Sequence, residues 1–134
     1  MSSCVLHRCS ACGFEIEAWS DGFPYIRNDM GNPRFYFHPC EMEQRREILA
    51  SCEWARDRNP DELERLLERK SGVMSEMLCL DCGWLFKVDL TKRRARCRKC
   101  KSENAKDVVM LGGETCPKCG KGRFPEEPLF HAIS

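Results

Sequence analysis

The sequence predicts a small α+β fold that is stabilised at clustered cysteines rather than by one large apolar core. Three observations predict it. Four Cys-x-x-Cys pairs stand in the 134 residues, at Cys9/Cys12, Cys79/Cys82, Cys97/Cys100 and Cys116/Cys119. With 11 cysteines in the chain, chance placement would give roughly one such pair. Short alternating runs between turn residues read as strands toward both ends, and helical spacing with a helix-start signal occupies the middle. The expected organisation is a knuckle and hairpin over 1–40, a helical hairpin over 41–72, and strands with the remaining cysteine pairs over 73–134. Each part is too small to stand on its own apolar core.

The first knuckle, Cys9-Ser10-Ala11-Cys12-Gly13, leads into the run Phe14 to Trp19, in which Phe14, Ile16 and Ala18 share one face of a half-buried strand. Ser20-Asp21-Gly22 and Asp29-Met30-Gly31-Asn32-Pro33 are turn chemistry, with strand-like Tyr25-Ile26 between them and Arg34 to Phe37 after them. From Glu41 to Arg58 the apolar stripe Ile48, Leu49, Cys52, Ala55 predicts a helix, in which Cys52 is a packed core thiol. A second helix starts at an Asn59 cap with Pro60 in the first position and Asp61 and Glu62 at the positive end of the dipole, and ends at Ser71-Gly72. Trp84 to Leu90 then reads as a strand, Thr91 to Arg94 as a hairpin tip, Arg94 to Arg96 as the return, and Asp107 to Leu111 as a further strand. The tail from Pro125 to Ser134 reads as irregular, and Cys4 as a free thiol.

Two cysteines separated by two residues turn both sulfurs toward one tetrahedral ion, and two such pairs close a four-thiolate zinc site. Such sites contribute folding free energy on the order of 10 kcal/mol, which compensates for a small core. Two or three Zn2+ ions are expected. A disulfide scaffold is the competing reading of a cysteine-rich chain, but regular C-x-x-C spacing argues against it.

Cys79-Leu80-Asp81-Cys82-Gly83 and, fourteen residues later, Cys97-Arg98-Lys99-Cys100 resemble the zinc ribbon family over about 35 residues. The resemblance implies one zinc held by Cys79, Cys82, Cys97 and Cys100 at the ends of a hairpin, with a third strand covering the sheet. The rival pairing, which spacing alone also allows, joins Cys97/Cys100 to Cys116/Cys119, fifteen residues on. The N-terminal unit is similar to a treble-clef finger, with a knuckle, a hairpin and a second ligand pair at the first turn of a helix. That likeness implies a site of Cys9, Cys12, His38 and Cys40. Its departure is the His-x-Cys spacing, which leaves His38 equally readable as a surface histidine. Cys116 and Cys119 then have no obvious partners. They can turn to His131, Cys4 or His7, or clasp Cys9/Cys12 and tie the chain ends together.

Charge adds a further expectation. Residues 73–134 carry 12 basic and 8 acidic side chains within a chain of net charge +1, and Lys92, Arg93, Arg94, Arg96, Arg98, Lys99 and Lys101 fall within ten residues. Placed on a hairpin tip, these cations suit phosphate contact; they also suit compensation of a site whose four thiolates and dication leave a net −2. Trp84 and Phe86 are either buried strand residues or stacking surfaces for unpaired bases. Catalysis finds little support, because thiolate-rich sites are closed and neither H-E-x-x-H nor a deaminase His-x-Glu with Pro-Cys-x-x-Cys occurs. The Leu90 to Arg93 tip also lacks the adjacent Asp-Glu pair of transcript-cleavage elongation factors.

No apolar stretch approaches the roughly 20 residues of a membrane span. The expectation is a non-enzymatic, cytoplasmic zinc protein that binds nucleic acid or serves transcription through Lys92, Arg93, Arg94, Arg96 and Arg98. A protein-interaction adaptor using residues 41–71, and a thiol redox switch at Cys116/Cys119, are the alternatives.

Overall fold

The computed structural model describes residues 3–37 and 39–133, and of residues 130–133 the backbone only. It is a small mixed α/β protein whose described residues include two α-helices. The chain forms two compact units, one from Met1–Gly22 with Ser75–Ser134 and the other from Phe23–Met74. This division differs from three consecutive segments, because the first unit is discontinuous and is closed by pairing between its distant ends.

In the first unit, β1 (Ser3–Arg8) and β2 (Glu15–Trp19) form an antiparallel hairpin with the first knuckle at its tip. Burial alternates along β2 as its sequence predicts, with Ile16 and Ala18 inside. The other side of β1 pairs with β8 (Leu129–Ile133), from Leu6 opposite Leu129 to Ser3 opposite Ile133. The tail is therefore irregular only from Pro125 to Pro128, and Leu129–Ile133 is a strand. Its partner lies more than a hundred residues away in sequence, so no hairpin signal beside it could announce the pairing.

The same architecture recurs around the second knuckle, between β5 (Ser71–Cys79) and β6 (Leu85–Val88), with β7 (Ala105–Asp107) pairing on the opposite side of β5. The expected return strand at 94–96 does not form. Asp89, which is buried, accepts hydrogen bonds from the Thr91 N–H at 3.0 Å and hydroxyl at 2.6 Å, while its carbonyl accepts from Lys92 and Arg93 N–H, both at 3.0 Å. That tight Asx-type turn competes with a β ladder. The strand expected over 107–111 is β7 followed by a 3-10 turn at Val108–Met110, because the Asp107 carboxylate caps the Val109 N–H at 3.0 Å.

The core of this unit joins Ile16, Ala18, Leu78, Val108, Leu111 and Phe124 to the sulfurs of Cys9 and Cys116. Full burial of Phe124, Leu78 and Leu111 stabilises by roughly 1.5–3 kcal/mol per side chain. Cysteine positions and apolar core are thus one structure.

The second unit pairs β3 (Phe23–Arg27) with β4 (Pro33–Phe35) and with residues 71–74 of β5. Helix α1 (Glu41–Ser51) stops seven residues short of the expected Arg58. Cys52 is extended there, and the Asp29 carboxylate takes the N–H groups of Glu53 and Trp54 at 3.0 and 3.2 Å, starting a separate 3-10 turn at Glu53–Ala55. Helix α2 (Pro60–Lys70) begins as predicted, with the Asn59 side chain accepting from Glu62 N–H at 2.9 Å. Ile26, Ile48 and Cys52 form the core of this unit, with Leu49, Trp54 and Tyr36 against it. Cys52 is the packed thiol its stripe implies.

Candidate metal centres and a cationic groove

All four knuckles share one backbone design. In each, the N–H four residues after the first cysteine donates to that cysteine's carbonyl, at 3.2 Å in Cys9–Gly13, 2.9 Å in Cys79–Gly83, 2.9 Å in Cys97–Lys101 and 2.8 Å in Cys116–Gly120. The donor residue has positive φ every time: 76° at Gly13, 79° at Gly83, 68° at Lys101 and 69° at Gly120. Glycine adopts this conformation without steric cost, and three of the four knuckles use it. Lys101 alone accepts the strain.

The knuckles meet in pairs. Cys79, Cys82, Cys97 and Cys100 form one group and Cys9, Cys12, Cys116 and Cys119 the other, the four sulfurs of each lying within 4.8 Å of one another. Sγ to Sγ distances are 3.5 Å for Cys79–Cys100 and Cys82–Cys97, 3.7 Å for Cys9–Cys119 and 3.8 Å for Cys12–Cys116. A tetrahedral ion with bonds of about 2.3 Å to sulfur would place its ligands about 3.8 Å apart. A disulfide would need about 2.05 Å, and every cysteine is free. Two four-thiolate groups, each able to hold a metal ion, are therefore present.

The grouping of Cys79/Cys82 with Cys97/Cys100 follows the shorter of the sequence spacings. Cys9 and Cys12 do not gather with Cys40, which is exposed in the other unit just before α1; His38 lies outside the described residues. The N-terminal pair is instead completed by Cys116/Cys119, the clasp that ties the chain ends. The physical reason is the β1–β8 ladder together with direct docking of the two knuckles, in which Ser10 N–H donates to the Arg123 carbonyl at 3.1 Å and Arg123 N–H to Ser10 Oγ at 3.3 Å. Contact is close enough that a Cβ on Gly122 would lie 2.6 Å from Cys9 Sγ and 2.7 Å from Ala11 Cβ. Sequence reading had no signal for Gly122, whose partner is remote. Neither Cys4 nor His7 joins a cluster, and the His131 side chain lies outside what is described. His7 is buried edge-on to Phe124, and among the described residues neither ring nitrogen has a partner at hydrogen-bond geometry. Burial lowers its pKa, the nearby Val108 backbone acting in the opposite direction.

Electrostatics within each group show why a cation fits. The Gly122 and Lys121 N–H groups pull Cys119 down to about 6. Burial opposes ionisation of Cys97, but the Cys100 and Lys99 N–H groups and the neighbouring thiols bring it down to about 7. In contrast, although the Phe14 backbone favours its thiolate, Cys12 is held up to about 12 by burial and by Cys9, Cys116 and Cys119. Cys100 is likewise held up to about 12: the Ser102 backbone favours its ionisation, while burial and Cys79, Cys82 and Cys97 oppose it. Each group thus combines strongly and weakly acidic thiols, because four like charges cannot share one site without a cation. A divalent metal removes that obstacle.

Outer contacts brace the second group. Asp81, between its first two cysteines, accepts from the Ser102 hydroxyl and from Asn104 Nδ2 at 3.0 Å, and Leu80 N–H donates to the Asn104 carbonyl at 2.8 Å. These bonds lower the Asp81 pKa, Ser102 most strongly.

Beside Cys97 lies an open groove of about 330 Å3 lined by Phe86, Lys87, Val88, Arg93, Arg94, Arg96, Arg98 and Lys101. All six of its cations are exposed. Lys87 is paired with Glu76 at 3.4 Å, and Lys92, which lines an adjoining cavity, sits 4.0 Å from Asp89. Among the described residues, Arg93, Arg94, Arg98 and Lys101 have no carboxylate within ion-pair distance. Of the five residues expected to meet phosphate, Arg93, Arg94, Arg96 and Arg98 therefore line one groove, although on an irregular loop and not on a hairpin tip.

Compared with known proteins, the chain matches no family model, no curated protein and no solved structure. No helix among the described residues is long and apolar enough to cross a membrane.

Proposed function

We propose that this chain is a nucleic-acid-binding module in which two structural zinc ions hold a cationic groove in shape. Lys101 carries the reading. At the position where the other three knuckles place glycine, this one keeps a lysine at φ 68° and turns it into the groove lining. A non-glycine residue in that region costs on the order of 1 kcal/mol, and such strain persists where a side chain is needed for function. Charge compensation alone does not require it, since Arg98 and Lys99 already stand inside the same knuckle.

Zinc is the metal that suits four thiolates in tetrahedral array. With four protein ligands, each ion has no open position for substrate, which supports a structural and non-enzymatic role. Reduced thiols in both groups fit a cytoplasmic setting. The second site keeps the zinc ribbon likeness in its two knuckles and in β7, and departs from it where the Asp89 turn replaces the return strand.

The test is binding of the zinc-loaded protein to labelled oligonucleotides across a salt series. Affinity should fall steeply with salt, and replacing Arg93, Arg94 and Arg96 by alanine should weaken binding at least tenfold while both zinc ions stay bound. Lys101→Gly should retain zinc and thermal stability, because it relieves strain, yet weaken binding severalfold. Undiminished binding in both variants would refute the proposal.

A further inference from the structure

We infer that the groove takes a single-stranded polynucleotide, DNA or RNA, with Phe86 as the platform for a base; this rests on the nucleic-acid reading above. A duplex is a convex cylinder that is read by an element protruding into its grooves, whose major groove is about 12 Å wide. Here the cations line an open concavity of about 330 Å3, which has room for about one nucleotide and is too small to enclose a double helix. Its wall is not purely ionic. Phe86 is half-buried and stacks on Trp84 with ring centroids 5.6 Å apart and planes 19° from parallel.

The stack on Trp84 restrains the Phe86 ring, and Phe86 but not Trp84 lines the groove. A fixed aromatic surface surrounded by Arg93, Arg94 and Arg96 offers an unpaired base stacking and its flanking phosphates charge, a combination that selects single strands without reading sequence. A duplex hides its base faces and can use only the cations. Phe86 therefore contributes to strand binding and not to duplex binding, whereas the arginines contribute to both.

The experiment is fluorescence anisotropy of the zinc-loaded full chain with short oligo(dT), oligo(U) and a duplex of equal length. Wild-type protein should prefer single strands by about tenfold or more. Phe86→Leu should lose about tenfold on single strands with an unchanged salt slope and unchanged duplex affinity, while Phe86→Tyr should keep the preference. Equal wild-type affinity for strand and duplex, or an undiminished preference in Phe86→Leu, overturns the inference and leaves the nucleic-acid reading intact. No measurable binding to any of the three overturns that reading itself. Zinc content of each variant, by mass spectrometry, shows that it is folded; should Phe86→Leu lose zinc, the wild-type competition between strand and duplex decides alone.

Discussion

The two units of this chain solve the problem of small size differently. In Met1–Gly22 with Ser75–Ser134, eight cysteines in two groups supply the fixed points and the apolar side chains fill in around them. In Phe23–Met74 no metal-competent group gathers among the described residues, and order comes from side chains that cap helices and turns, Asp29 and Asn59 above all. Both helices also lie in this second unit. The contrast teaches that metal and capping serve one purpose, which is to fix backbone where an apolar core is too small to do so.

The strongest way to break the comparison is chelation. Removing metal should cost the first unit on the order of 10 kcal/mol per site and unfold it, while the helical signal of the second unit persists. Circular dichroism would check this, because the helices report on one unit only; joint loss of both signals would merge the two regions.

Within the first unit, the two groups differ in reach. Cys9 and Cys119 are 110 residues apart and Cys79 and Cys100 are 21. Closing the longer loop in an unfolded chain costs roughly 1.5 kcal/mol more, so the terminal site should release metal first in a chelator titration. Gly122→Ala sharpens the point, since its Cβ would press on Cys9 Sγ and Ala11. It should destabilise by about 1–3 kcal/mol and loosen the terminal metal, measured by thermal melting and zinc release. Gly120→Ala, with nothing within 4 Å, should cost less, from its positive φ alone.

Smaller effects test the capped unit. Asn59→Ala should lower its stability by about 1 kcal/mol in urea unfolding and leave zinc untouched. Asp29 has a lowered pKa, chiefly from the Glu53 N–H and then from that of Trp54. A carboxyl lowered on folding contributes stability that is present above its unfolded value of about 3.9 and is lost as pH falls through the lower folded value. Asp29→Asn should therefore lower stability near neutrality, where the carboxylate contributes, and flatten the acid limb so that its profile in urea unfolding meets that of the wild type at low pH.

Local chemistry was legible and remote pairing was not. The Asn59-Pro60 start of α2, the alternation in β2 and the close grouping of Cys79/Cys82 with Cys97/Cys100 are written within short windows of sequence. The end of α1 was hidden because Asp29, more than twenty residues away, supplies the competing hydrogen bonds. The β8 strand was hidden for the same reason, and the clasp of Cys116/Cys119 with Cys9/Cys12 stood only as one of several alternatives, each depending on the opposite end of the chain. Asp89 was an unread local signal: an aspartate before Leu-Thr can close an Asx turn, and that turn displaced the expected return strand.

The most direct measurement is zinc per chain by native mass spectrometry for the wild type, Cys116→Ser and Cys40→Ser. The account predicts two ions in the wild type, one in Cys116→Ser and two in Cys40→Ser. Two ions retained in Cys116→Ser, or one lost in Cys40→Ser, would contradict a metal clasp between the two ends of the chain.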